Sequence, residues 1–213
     1  MTGDRATIYV VDDDASVRRA LERLLHVKGY QVVSFPSAED FLADDLSLDV
    51  ACLVLDLNLP GLHGLELQNQ LHQQGIFLPI IFITGHGNIP TAVRAVKSGA
   101  VSFLTKPFSQ IELMAEIENA LATCRQRVDE RSEIVNLESR FRTLTARESE
   151  IFSFVVRGKL NKQTASELGI VENTVKVHRR RVMRKMHAES VAELVMMAQK
   201  LHRLPSPSEH QPT

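Results

Sequence analysis

Short apolar runs recur through the first half of the chain, and between them apolar residues return at every third or fourth position. Residues 8–11, 32–33, 52–55, 80–83 and 101–104 are brief, rich in β-branched side chains and bounded by polar or turn-forming segments. Such runs read as strands, and their unbroken apolar character implies a sheet covered on both faces. Val17, Ala20, Leu21, Leu24 and Leu25 fall on one face of a helix, and Ala92, Val93, Ala95 and Val96 repeat that spacing more loosely. Strands alternating with helices imply crossover units. The pattern predicts five strands and five helices in a doubly wound parallel α/β domain ending near Ala122.

Beyond residue 108 the period is helical throughout. Ser109 and Glu112 make a capping-box pattern, in which hydroxyl and carboxylate each satisfy a free backbone N–H. Met114, Ile117, Leu121, Cys124 and Val128 follow as one apolar seam, Arg131 interrupts it, and Ile134, Leu137, Phe141 and Leu144 resume it out of phase. Two readings are open here: a frayed, solvated linker, or a spacer helix of roughly 48 Å that could pair with its copy. Thr145 and Glu148 form a second capping box ahead of Ile151, Phe152, Phe154, Val155 and Val156. After a break at Gly158, Asn161 is the expected N-cap of a helix carrying Ala165 and Leu168. Gly169 makes a tight turn, Ile170 packs inward, and a helix runs from about Glu172 to Met186. A last helix holds Val191, Leu194, Val195 and Ala198. Three prolines in residues 205–213 predict a disordered tail.

Charge separates the two halves. Residues 1–123 carry 8 Lys and Arg against 15 Asp and Glu, or -7, and residues 124–213 carry 17 against 11, or +6, for a total of -1. An acidic half joined to a basic half suggests two jobs, one of them nucleic-acid binding. Cys52 and Cys124 lie far apart and read as reduced thiols. No secretory leader pattern opens the sequence. The uncharged stretch 67–93 is broken by Gly75, Pro79, Gly85, Gly87 and Pro90, which excludes a membrane span. A soluble, cytoplasmic protein is expected.

The acidic half carries candidate chemistry where its strands stop. Asp12 and Asp13 follow the first run, Asp56 the third, Thr84 the fourth, and Lys106-Pro107 the fifth. The carboxyl ends of parallel strands form one rim, so these side chains are aimed at a shared crevice. Gathered carboxylates call for a cation, and an all-oxygen site with room for phosphate suits Mg²⁺ or Mn²⁺. A carboxylate can attack phosphorus, while a lysine and a hydroxyl stabilise the transferring group. Asp56, alone at the end of the central strand, is the nucleophile by this reasoning.

The segments Val10-Val-Asp-Asp13, Leu53-Val-Leu-Asp56-Leu-Asn-Leu-Pro60-Gly, Ile83-Thr-Gly-His-Gly87 and Phe103-Leu-Thr-Lys106-Pro107-Phe together resemble the receiver domain of two-component systems. The resemblance implies a flavodoxin-like α/β fold. It makes Asp12, Asp13 and Asp56 metal ligands together with the backbone carbonyl of Asn58. It places Thr84 and Lys106 on the phosphoryl oxygens, makes Phe103 the switch aromatic that turns inward when Thr84 moves, and implies a cis peptide bond before Pro107. The phosphate donor it implies is a sensor histidine kinase. Phosphorylation would then promote a homodimer through the helix at 89–98 and the strand at 101–105, with Val93, Val96 and Val101 as candidate apolar contacts.

In the basic half, the helix near 172–186 carries Lys176, Arg179, Arg180, Arg181, Arg184 and Lys185 opposite an apolar face of Val175, His178, Val182 and Met186. A basic helix after a tight turn suits the major groove of duplex DNA. Leu144-Thr-Ala-Arg-Glu148, Gly158, Asn161-Lys162, Leu168-Gly-Ile170 and Thr174-Val-Lys-Val-His178 resemble the LuxR-type helix-turn-helix, and the whole chain resembles FixJ-type response regulators. By that resemblance Lys176, Val177 and Arg180 face bases, while Lys162, Thr174 and Arg184 lie near phosphates. Val171 departs from the family, standing where a serine N-cap is usual.

The expected organisation is a receiver at 1–122, a helical linker at 123–143, an all-α helix-turn-helix domain at 144–204 and a tail at 205–213. The expected function is phosphorylation-controlled transcription, with promoter DNA as partner, RNA polymerase as a candidate contact, no membrane association and no conventional enzyme activity. A haloacid-dehalogenase-like phosphohydrolase is the alternative for the acidic site, but it needs an acid where Asn58 stands. A sigma-factor-like module explains only residues 144–186. A ligand-sensing LuxR relative would have no use for the acidic pocket.

Overall fold

The structure is a computed structural model that describes residues 6–46, 49–85, 93 and 95–202. It divides between Asp129 and Glu130 into two units. Strands β1 (Thr7–Val11), β2 (Gln31–Phe35), β3 (Ala51–Asp56), β4 (Ile80–Thr84) and β5 (Ser102–Thr105) form one sheet in the order β2-β1-β3-β4-β5. Every pairing is parallel, with Val11 beside Leu55 and Asp56 beside Ile83 in register. The fifth strand starts one residue later than expected: Val101 precedes it and donates its N–H to the Ile80 carbonyl at 2.9 Å.

The continuous apolar runs are explained by two cores, one on each face. Alternate residues of a strand point to opposite sides. Tyr9, Val11, Leu53, Leu55 and Phe82 join the core that α3 (Gly64–Gln73) covers with Leu67 and Leu71. Ile8, Val10, Cys52, Val54, Ile81 and Ile83 join the other, where α1 (Ala15–Val27) contributes Leu21 and Leu25. Ala20 is exposed, contrary to the expected apolar face of α1, because the inward stripe runs through Leu21 and Leu25 with Val17 and Leu24 at its edges. The short α2 (Ala38–Ala43) is capped by Ser37 and buries Phe41 edge-on against Tyr9 and Phe35. Of the helix expected near residues 89–98, Val93 and residues 95–97 are helical, with Ala95 buried and Val93 and Val96 exposed; the rest of that segment up to 92, and 94, lies outside the described residues.

A single helix, α4 (Gln110–Arg142), begins at the expected Ser109–Glu112 box and stays helical through Arg131. The frayed-linker alternative therefore does not hold. Ile117, Leu121 and Cys124 are buried before the phase change and Leu137 after it, with Arg131 exposed between them. The seam breaks where the two units divide. Among the described residues no helix is long and apolar enough to cross a membrane.

In the second unit, α5 (Ala146–Val156), α6 (Asn161–Leu168), α7 (Glu172–Met186) and α8 (Val191–His202) pack around Ile151, Phe152, Val155, Val175, Val182, Met186 and Leu194. Phe141 of α4 meets Phe152 edge-on at 5.1 Å. Gly169 takes the left-handed φ of 63° that turns the chain from α6 into α7, a conformation open to glycine at little cost. Asn161 is not the N-cap expected of it. Leu160 holds that position, its N–H donating to Gln163 Oε1 at 2.8 Å, and Asn161 is the first helical residue. The Asn161 side chain instead accepts from Arg179 Nη1 at 3.0 Å and ties α6 to α7.

Two predictions follow from this packing. A Cβ on Gly64 would lie 2.8 Å from the Asp56 carbonyl oxygen and 3.1 Å from Leu57 Cα, both backbone atoms that cannot swing aside. Gly64→Ala should therefore cost on the order of 1–3 kcal/mol, read as a lower thermal midpoint; an unchanged midpoint contradicts the close approach. The second concerns Glu148, the only buried carboxylate of the second unit among the described residues. Its Oε2 accepts from Lys185 Nζ at 2.6 Å and from the Thr145 N–H at 2.9 Å, which holds its carboxyl down at about 2. A depressed folded value contributes stability that is full above the ordinary value of 4.5 and is lost as the pH falls through about 2. Glu148→Gln should lower amide-exchange protection at Ile151 and Val155 at pH 7, with the gap to the native chain closing toward pH 2. Equal protection at pH 7 would refute this.

Candidate functional site

Parallel pairing brings the ends of β1, β3 and β4 and the residue after β5 to one rim, on either side of the point where strand order reverses between β1 and β3. Asp12, the residue after β1, is fully buried; Asp56, the last residue of β3, is 6% exposed; Asp13 faces solvent. One oxygen from each of these three carboxylates can be chosen so that all lie within 4.8 Å of one another. Lys106 arrives from the end of β5 and places Nζ at 2.6 Å from both Asp12 Oδ2 and Asp56 Oδ2. The Lys106–Pro107 peptide is cis.

Each remaining oxygen of the two buried acids also has a donor. Asp12 Oδ1 accepts from the Asp14 N–H at 2.9 Å, and Asp56 Oδ1 accepts from the Asn58 N–H at 2.8 Å. Burial pushes the Asp12 carboxyl above its ordinary value, and the bond from Lys106 only partly offsets it. Burial alone would pull the Lys106 ammonium down, but its bonds to Asp12 and Asp56 outweigh that and raise it. Lys106 is held charged between two acids.

Thr84, the last residue of β4, is fully buried, and its Oγ1 accepts from Asn58 Nδ2 at 3.2 Å. Phe103 is half-buried on β5, paired in register with Phe82 and packed against the core on the α3 face. The structure thus gathers Asp12, Asp13, Asp56, Asn58, Thr84 and Lys106 at one crevice, with Phe103 below it on β5. His86 and Gly87 lie outside the described residues. A cluster with only oxygen donors, two buried carboxylates and a third open to solvent suits a hard divalent cation with room for further ligands.

On the second unit, α7 buries Val175, Val182 and Met186 and turns Thr174, Lys176, Val177, Arg180, Arg181 and Arg184 to solvent. Lys162, on α6, is exposed as well. His178 lies at the edge of the apolar face, and its buried Nδ1 has no hydrogen-bond partner among the described residues. Lys176 pairs with Glu172 one turn earlier at 3.1 Å. Two of the six basic residues expected on the outer face are engaged elsewhere: Arg179 with Asn161, and Lys185 with Glu148 and the Thr143 carbonyl. As the departure at Val171 led one to expect, α7 starts without a side-chain cap; Val171 is 71% exposed.

Sequence reasoning missed Arg18, whose guanidinium grips the main chain of the acidic pair, with Nη1 at 2.6 Å from the Asp12 carbonyl and 3.0 Å from that of Asp13. The only signal was its place one turn past Asp14, on the first turns of α1, where a long side chain can fold back over the helix start. It also missed that Asp14 caps α1 by accepting from the Ser16 N–H at 2.7 Å.

Both units of the chain are similar to known proteins. The model for the response regulator receiver domain matches residues 8–118, and the one for bacterial regulatory proteins of the luxR family matches residues 142–198. Nodulation protein W of Bradyrhizobium diazoefficiens is 46% identical over 197 residues, which span 92% of this chain and 87% of that protein. Transcriptional regulatory protein FixJ of the same organism is 39% identical over 191 residues, spanning 90% and 93%. The solved structure of the response regulator StyR is similar at a TM-score of 0.81 and 45% identity, covering 92% of this chain and 99% of that one. With a receiver-domain match in its first unit and a luxR-family match in its second, the chain belongs to the FixJ-type two-component response regulators, a receiver domain joined to a LuxR-type DNA-binding domain.

Proposed function

We propose that the chain accepts a phosphoryl group on Asp56 from a sensor histidine kinase and then binds promoter DNA as a dimer to regulate transcription. The observation that supports this most is the Lys106 ammonium held between Asp12 and Asp56, with Asp13 alongside. In the transfer, the bond between phosphorus and the kinase imidazole nitrogen breaks as a bond to an Asp56 carboxylate oxygen forms. The imidazole leaves with the electron pair and takes a proton from solvent. Asp12, Asp13 and Asp56, with the Asn58 carbonyl, would hold Mg²⁺ or Mn²⁺, which when bound neutralises charge on the phosphoryl oxygens. Lys106 donates to one phosphoryl oxygen from beside Asp56. Thr84 exchanges its bond from Asn58 for donation to another, and Phe103 turns inward behind it.

Domains are taken as a receiver at 1–122, a helical linker at 123–143, a DNA-binding domain at 144–204 and a tail at 205–213; residues 203–213 lie outside the described ones. Phosphorylation favours pairing through the 89–98 segment and β5. Val93 and Val96, 45% and 53% exposed, are available to that face, whereas Val101 packs partly into the sheet's core and contributes less. Two tethered copies of α7 then engage two half-sites, and affinity rises through effective concentration without new base contacts. Lys176, Val177 and Arg180 face bases; Lys162, Thr174 and Arg184 meet phosphates. The protein works in the cytoplasm, and RNA polymerase is a candidate further partner.

Acetyl phosphate with Mg²⁺ should place one acid-labile phosphate on the chain, at Asp56, and EDTA should suppress it. Asp56→Asn should take up none; stoichiometric labelling of that variant would overturn the assignment. On DNA, Arg180→Ala should relax preference at one base position by about 1–3 kcal/mol. Arg184→Ala should instead weaken all sequences alike and reduce the salt slope by about 1. Binding titrations across a salt series separate the two, and identical behaviour of both variants would contradict the contact scheme.

A further inference from the structure

Arg18 takes no part in the chemistry described above, yet it is bonded to the backbone that carries two of the three clustered acids. It sits in the second turn of α1, and one guanidinium nitrogen donates to the carbonyls of both Asp12 and Asp13, at 2.6 and 3.0 Å. The peptide plane of each carbonyl fixes the direction of the chain on either side of it, and so the direction in which the attached side chains leave. The turn is secured from the other side as well. Asp14 caps α1 through the Ser16 N–H at 2.7 Å, and the Asp14 N–H holds Asp12 Oδ1 at 2.9 Å.

The three acids are not equally constrained. Asp12 is held at both carboxylate oxygens, by the Asp14 N–H and Lys106, and Asp56 likewise by the Asn58 N–H and Lys106. The Asp13 carboxylate is exposed, and it is carried by the backbone that leaves Asp12. That backbone is what Arg18 grips. We propose that Arg18 is a positioning residue of the metal site, which holds the Asp12 and Asp13 carbonyls together and thereby pre-aims both carboxylates, raising the affinity for a divalent cation. The proposal rests on the acidic cluster being a Mg²⁺ or Mn²⁺ site. Groups behind metal ligands act this way in general, by removing the cost of orienting the ligands when the ion arrives.

Charge and position make opposite predictions for this residue. A guanidinium near a dication repels it, so if Arg18 acted by charge alone, removing it would tighten binding and Arg18→Lys would change nothing. If it acts by position, Arg18→Met should weaken binding by about tenfold or more. Arg18→Lys, which keeps an ammonium able to reach one or both carbonyls from a shorter stem, should fall between. The measurement is Mn²⁺ titration of the full chain followed by the paramagnetic resonance of the free ion, on protein whose folded fraction is checked by circular dichroism in EDTA. A purely structural role would lower the metal-free melting temperature and leave the dissociation constant of the folded protein where it was. Graded weakening from Arg18 through Lys to Met supports the proposal. Unchanged or tighter binding by Arg18→Met overturns it while leaving the metal site standing. A native chain that does not bind Mn²⁺ overturns the metal site, and the role of Arg18 with it.

Discussion

Everything at the rim depends on one ammonium placed between two buried carboxylates. Asp12 and Asp56 end neighbouring strands, and strand pairing forces them together whatever their charges prefer. Like charges within 4.8 Å repel by about 3 kcal/mol at an effective dielectric near 20. Lys106 Nζ, at 2.6 Å from each, answers that repulsion. It comes from the far side of β4, the strand that ends at Thr84. Burial raises the Asp12 carboxyl even with the lysine present, so ionising this acid in the folded chain works against stability as the pH rises past its ordinary value. The site is built for more positive charge than the protein supplies. A hard divalent cation suits that imbalance.

Much of this was legible because it is local in the chain. Strand runs that stop at Asp12, Asp56, Thr84 and Lys106 name the rim, since parallel strands all end on the same side. The boxes at Ser109–Glu112 and Thr145–Glu148 close within one helical turn, and both are present in the structure. What escaped is what long side chains do across distance. Lys185 and Arg179 look like groove-facing cations in the helix pattern, yet their partners stand 37 and 18 positions away. Asn161 has the right chemistry for a cap, but Arg179 claims its oxygen, and a half-box from Gln163 serves the helix instead. Ala20 fails as a core residue because a 13-residue helix lying on a sheet buries a narrower stripe than the apolar pattern offered.

The charge division of the sequence has a structural counterpart. The acidic half builds a crevice that gathers negative charge, while the basic half presents α7 with four of its cations, Lys176, Arg180, Arg181 and Arg184, exposed to solvent. Lys185 is withdrawn from that surface to neutralise Glu148, which fixes α7 against α5. The uncapped start at Val171 is compensated in part by backbone bonds from Thr174 and Val175 to its carbonyl, at 2.9 and 3.3 Å. Between the halves, α4 keeps its helical backbone while its apolar seam changes phase at Arg131.

In the proposed function, charge added at Asp56 governs what α7 does. The most direct test is protection of promoter DNA by the full chain, with and without a phosphodonor, for the native sequence and for Asp56→Asn in parallel. Phosphodonor should lower the concentration of native protein needed for protection of paired half-sites and have no effect on the variant. Equal protection in all four conditions would contradict it, since the crevice and the DNA-binding helix would then act without reference to each other.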